Sequence, residues 1–222
     1  PHIGDVKTKE GLKTVFKLVD KDGDDFINYD ELKQLARLAG LLGSWRELAS
    51  VYQQFLDEPR DNDGATIDVL RTAAEIYDQR LGKVDEAKEC YRRLLAADNE
   101  DMAAFNPLEA MLTRAERWSD LLGVYRDAAT QTLNDARKKA LLFKISRLEE
   151  DRLYELPAAI RTYREILDLD SEDEEATLQL DRLYGDLSRW QDLSELLMRR
   201  IERADRNSHA DAWTALKLRL GD

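Results

Sequence analysis

One cysteine, Cys90, stands in the 222 residues, so no internal disulfide can form. A small disulfide-stapled fold is excluded, and a reducing compartment is compatible with the chain. Cys90, in KECYRRL, reads as a small helix residue near the core, because a reactive thiol needs a basic, exposed niche. Prolines number four and glycines ten, which suits long helices joined by short turns. The two histidines, His2 and His209, form no HExxH, no Cys/His cluster and no pairing with a nucleophile. A glycine-rich phosphate loop is also missing. Catalysis is therefore not expected. No apolar run approaches the roughly 18–20 residues that span a bilayer, and no signal peptide is visible. The expectation is a soluble chain, in the cytoplasm before other compartments. Because it begins at Pro1 without Met, a trimmed chain is expected and an upstream signal stays open. Basic residues are outnumbered, 34 against 46 acids, for a net charge of −12. Such a chain repels phosphate backbones, which argues against nucleic acid and favours cations and basic partners.

What is present is an internal repeat. SWRELASVY (44–52), RWSDLLGVY (117–125) and RWQDLSELL (189–197) align. Trp45 and Trp118 are 73 residues apart, and Trp118 and Trp190 are 72 apart. Tyr91 and Tyr163 are also 72 apart, within YRRLLAADNED and YREILDLDSED, and Ala87 and Ala159 keep that spacing. Leu35, Leu108 and Leu180 each precede a Trp by ten residues. A period this long marks a solenoid whose neighbouring units share one core. Apolar residues fall at helical spacing, as in Ile76, Ala87, Tyr91, Leu94 and Leu95. DNED, DSED and LGK supply the turns. The pattern predicts helices near 7–19, 29–42, 44–57, 65–81, 84–97, 101–115, 117–132, 134–152, 155–169, 173–187, 189–204 and 208–220. Each unit of about 72 residues then holds two helix pairs. The periodic tryptophans read as core residues, and the charged helix faces as solvated.

AAEIYDQRLGKVDEAKECYRRLLAADNED (73–101) and ISRLEEDRLYELPAAIRTYREILDLDSED (145–173) resemble the tetratricopeptide family. Small Ala73 and Ala74 precede Tyr77, Gly82 marks the turn, Ala87 permits close helix approach and Tyr91 fills the next groove. The usual Pro of the family is missing at Asn99 and Ser171, and the period of each helix pair is stretched to about 36 residues. The resemblance covers residues 33–222. It implies an all-α fold, an antiparallel helix-pair solenoid of tetratricopeptide-like superhelical form, and binding of a protein or peptide partner.

The stretch FKLVDKDGDDFINYDEL (16–32) is different in kind. Counting from Asp20, oxygen donors occupy loop positions 1, 3, 5, 7, 9 and 12: Asp20, Asp22, Asp24, the Phe26 carbonyl, Asn28 and Glu31. Calcium takes about six to eight oxygens, and alternate carboxylates can wrap it. Ile27 falls at position 8, where a loop residue turns into the core. Leu12, Val15, Phe16 and Val19 make an apolar face before the loop, and Leu32, Leu35, Ala36 and Ala39 make one after it. The stretch resembles an EF-hand, and this resemblance implies Ca2+ as the ligand. At position 6 stands Asp25 where the family has Gly. A left-handed non-Gly residue costs ~1–2 kcal/mol, about tenfold in affinity, so micromolar binding is expected. EPRDNDGATIDVL (58–70) is not a second loop, because Pro59 and Leu70 would fall at ligand positions 1 and 12.

The expected organisation is an EF-hand helix-loop-helix over 1–42 that shares its second helix with a repeat array over 33–222. Calcium would set the angle between helix 7–19 and helix 29–42 and order the N-terminal end of the array. Helix 208–220 matches the first helix of a pair, 136–148, without its partner. A fragment of a longer array is expected there, or self-association through that end or through the unpaired EF-hand. The alternative is a purely structural spacer, natural or engineered, in which calcium is a staple or is not bound.

Overall fold

A computed structural model of the chain describes residues 29–57 and 64–206. The expected helices 7–19 and 208–220 lie outside the described residues. Among those described there are ten α-helices and no strand: α1 (Tyr29–Leu42), α2 (Trp45–Asp57), α3 (Gly64–Glu75), α4 (Val84–Ala97), α5 (Met102–Arg114), α6 (Trp118–Gln131), α7 (Asp135–Asp151), α8 (Leu156–Leu169), α9 (Glu174–Asp186) and α10 (Trp190–Arg206). Apart from the end of α3, their bounds agree with the sequence expectation to within two residues. Gly64, in the rejected second loop, begins α3, and residues 58–63 lie outside the described residues. One difference lies at the end of α3, which widens into a π-type turn over Ile76–Leu81 before the left-handed Gly82.

The chain divides into two compact units, Pro1–Arg117 and Trp118–Asp222. In the first, α1 packs on α2, α2 on α3, α3 on α4 and α4 on α5; in the second, α6 packs on α7, α7 on α8, α8 on α9 and α9 on α10. Packing thus runs from each helix to the next. Connections of two to four residues, and six between α2 and α3, are short enough to make such neighbours run antiparallel. This is an all-α helix-pair repeat.

The 72-residue sequence period is also a period of burial. Ala87 and Ala159 are both fully buried, and Tyr91 and Tyr163, Leu48 and Leu121, and Leu108 and Leu180 pair in the same way. A methyl group at the two alanines leaves room for the facing helix, and the tyrosine ring fills the space beyond it. In the second unit Phe143 meets the Tyr163 ring edge-on, with centroids 6.4 Å apart.

The turns repeat as well, and they explain the missing prolines. After α4, Asp98 accepts from the Glu100 amide at 2.9 Å, and Asp101 caps α5 by accepting from the Ala103 and Ala104 amides. After α8, Asp170 accepts from Glu172 at 3.1 Å, and Asp173 caps α9 through the Ala176 amide at 2.8 Å. Two aspartates thus fold each turn by bonding local amides, so the rigidity of Pro at Asn99 and Ser171 is not needed. A second turn type places a left-handed residue at the end of the preceding helix: Gly43, Glu116 and Ser188 at one register position, Gly82 and Tyr154 at another.

Candidate functional site

Of the expected metal ligands, only Glu31 lies among the described residues. Asp20, Asp22, Asp24, Phe26 and Asn28 lie outside them, as does Asp25. Glu31 sits in the first turn of α1 and is 4% exposed. Among the described residues there is no group of three or more His, Cys, Asp or Glu side chains that could hold a metal. The donor set itself suits a hard cation: five side-chain oxygen donors and one backbone carbonyl, spaced as a calcium loop requires.

Around the start of α1 the chain builds a small polar cluster. The Tyr29 hydroxyl donates to Asp68 Oδ2 of α3 at 2.5 Å. Lys33, one turn along α1, stands over the Tyr29 ring with its Nζ 3.9 Å from the centroid. The hydrogen bond to Tyr29 raises the Lys33 pKa. On α2, burial pushes the Tyr52 phenol up to about 12, with the nearby Tyr29 adding to the effect. Sequence reading did not find this cluster. Tyr29 falls at position 10 of the loop, which donates no ligand, and Asp68 lies 39 residues away with no motif around it.

The first unit carries a groove of about 600 Å3 between α2, the end of α3 and the start of α4. Ala49, Tyr77 and Leu81 line it on the apolar side, and Arg46, Gln53 and Gln54 line its polar side. The Tyr77 hydroxyl is already engaged, donating to the Ala49 carbonyl at 3.2 Å. Such a surface can seat an apolar side chain while its amides bond a backbone. The register-equivalent place in the second unit is filled from within. There Arg126 bonds Glu149 at 2.9 Å, Thr162 at 2.6 Å and Glu165 at 3.2 Å, and Glu149 is buried. Gln53, Tyr77, Cys90 and Arg93 hold those four positions in the first unit.

The second unit has its own groove, about 360 Å3, lined by Arg164, Tyr184, Asp192 and Arg199 among others. Its charges are largely paired with one another. Arg164 bonds Tyr184 at 2.7 Å and Asp192 at 2.5 Å, and Arg199 bonds Glu195 at 2.6 Å. The hydrogen bonds from Arg189 and then Arg164 hold the Asp192 carboxyl below its usual range.

The tryptophans correct one sequence reading. They are not core residues: Trp45 and Trp118 are half-buried and Trp190 is 63% exposed. Each is the first residue of its helix, and the Trp45 ring reaches Gly40 of the preceding helix. The Arg80 and Arg152 guanidinium groups cover the Trp45 and Trp118 rings at 4.9 and 5.0 Å. No helix among the described residues is long and apolar enough to cross a membrane.

A family model described as an EF-hand domain matches residues 11–43. No curated protein matches the chain. Among solved structures, the chain is similar to MamA at 14% identity, covering 77% of this chain and 95% of that one with a TM-score of 0.39. A tetratricopeptide repeat protein from Parabacteroides merdae ATCC 43184 is 15% identical, over 87% of this chain and 73% of that one, with a TM-score of 0.40. PilF of Pseudomonas aeruginosa is 14% identical, over 96% and 92%, with a TM-score of 0.37. The helix-pair repeat itself is read from the period of burial and from the turns.

Proposed function

We propose that this chain is a calcium-binding helical-repeat scaffold for protein–protein interaction, in which calcium orders the N-terminal end of the array. The observation that carries the reading is the donor register from Asp20 to Glu31, which delivers its last carboxylate onto the first turn of α1. The match of an EF-hand family model to residues 11–43 supports it. The organisation follows from the same reading: an EF-hand over 1–42 whose second helix, α1, is also the first helix of the array over 33–222. Asp20, Asp22, Asp24, the Phe26 carbonyl, Asn28 and Glu31 would hold the ion. The ion supplies charge neutralisation and a fixed geometry rather than a reaction, and the proposed role is binding, not catalysis.

The partner is a protein or peptide rather than nucleic acid, in keeping with the acidic chain. The groove of the first unit, with Ala49 and Leu81 beside the Gln54 amide and the Arg46 guanidinium, is the surface that suits a peptide, while the Gln53 amide is held by Asp57 at 2.7 Å. The test is a calorimetric titration of chelator-stripped protein with calcium beside Glu31→Gln. Saturable one-site binding at micromolar concentration, lost in the variant, is the expected outcome. No heat at millimolar calcium would leave a plain repeat spacer.

A further inference from the structure

We infer that Tyr29 is the contact through which calcium binding at the loop is felt by the helices of the first unit, by way of its bond to Asp68. This rests on the calcium reading above and assigns the regulation of that site. Tyr29 stands immediately after Asn28 and two residues before Glu31, so it is flanked by two of the proposed ligands. It is also the first residue of α1. Its hydroxyl donates to Asp68 on α3 at 2.5 Å. Since α1 packs on α2 and α2 on α3, this bond closes a circuit of three helices that adjacent packing leaves open. Lys33 over the ring holds the tyrosine from the α1 side.

The physical argument is one of ordering. The Tyr29–Asp68 bond is exposed, and an exposed bond between side chains contributes little when both ends must first be ordered. Coordination by Asn28 and Glu31 fixes the backbone on both sides of Tyr29. The ring is then presented to Asp68 with most of its freedom already removed, and the bond strengthens. Linkage makes the effect reciprocal: whatever calcium adds to this bond, the bond adds to calcium affinity. The array thus reads occupancy of the loop at α3, beside the helices that form the first-unit groove.

The experiment uses the full chain, Tyr29→Phe, Asp68→Ala and the double variant. Phe keeps the ring and its contact with Lys33. Calcium titration is combined with amide hydrogen exchange over α3, with and without saturating calcium. The expected result is slower exchange over residues 64–75 when the parent binds calcium. Each single variant should abolish that slowing and weaken calcium binding by about threefold to tenfold, the net scale of one ordinary hydrogen bond. The double variant should be no weaker than either single one. Parental calcium affinity in Tyr29→Phe, or α3 exchange that calcium leaves unchanged in the parent, overturns the inference while the calcium reading stands. A parent chain that binds no calcium overturns both.

Discussion

Tyr154 is held at φ 56° and is 80% exposed, at the position where the first unit has Gly82 at φ 63°. An L side chain in that region costs roughly 1–2 kcal/mol, and an exposed ring recovers little of it. Tyr154→Gly is therefore expected to stabilise the chain by about 1 kcal/mol, net of the extra freedom glycine gains when unfolded. The urea midpoint should rise with an unchanged slope. Cys90 gives a second residue-scale effect. Burial pushes its thiol up to about 11 from an ordinary value of 9.0. Between those values the unfolded chain has lost the proton and the folded chain keeps it, so stability falls as pH rises. Below pH 9 the contribution is fully present. Tyr52 and Tyr91, pushed up to about 12 by burial, extend the decline upward. Urea unfolding at pH 8 and pH 11 should show the loss, and Cys90→Ala should flatten its lower part.

At the scale of the element, the aspartate turns are the sharpest feature. Asp101 caps α5 through two amides and also pairs with Arg71 at 2.9 Å. Asp173 caps α9 and pairs with Lys139 at 2.9 Å, and Lys139 is also held by Asp170. Losing an N-cap costs about 1 kcal/mol. Asp101→Ala and Asp173→Ala should each destabilise by roughly 1–2 kcal/mol. Asp173→Ala should be the milder, because Lys139 retains Asp170, whereas Arg71 loses the one carboxylate partner shown for it. Chemical unfolding of both variants checks the order. Arginine braces from α5 to the end of α3 (Arg114–Asp78) and from α9 to α7 (Arg182–Glu150) recur at the same acceptor position. They tie each helix to the next but one, which the turns alone cannot do.

At the scale of the whole molecule, the division falls at Arg117 and Trp118, where the second tryptophan unit begins. In a repeat array each helix contacts its neighbours in sequence, and stability is a sum of local terms. The second unit contains its own braces: Arg126 joins α6, α7 and α8, Lys139 joins α7 to the α9 cap, and Arg164 joins α8 to α10. Residues 118–222 expressed alone are therefore expected to be helical and to unfold cooperatively. Circular dichroism against temperature decides it, and a non-cooperative melt would mean that the second unit depends on the first for its fold.

The amino-acid sequence by itself determined the helices of the described residues, their register and the long period. These depend on local spacing: apolar residues three and four apart, small Ala87 and Ala159, and turn residues at fixed offsets. It also determined the candidate donor set from Asp20 to Glu31, because a calcium loop gathers its ligands from twelve consecutive residues. Tertiary structure decided what depends on residues far apart. It placed the tryptophans at the rim rather than in the core, since burial at the first residue of a helix depends on what covers the preceding turn. It filled one repeat with Arg126 and Glu149 and left a groove at the equivalent place in the other, although both come from the same helical pattern. It brought Tyr29 to Asp68 across 39 residues. No local periodicity carries that pairing, because it is set by how α1, α2 and α3 stack and by which side chains are long enough to reach across.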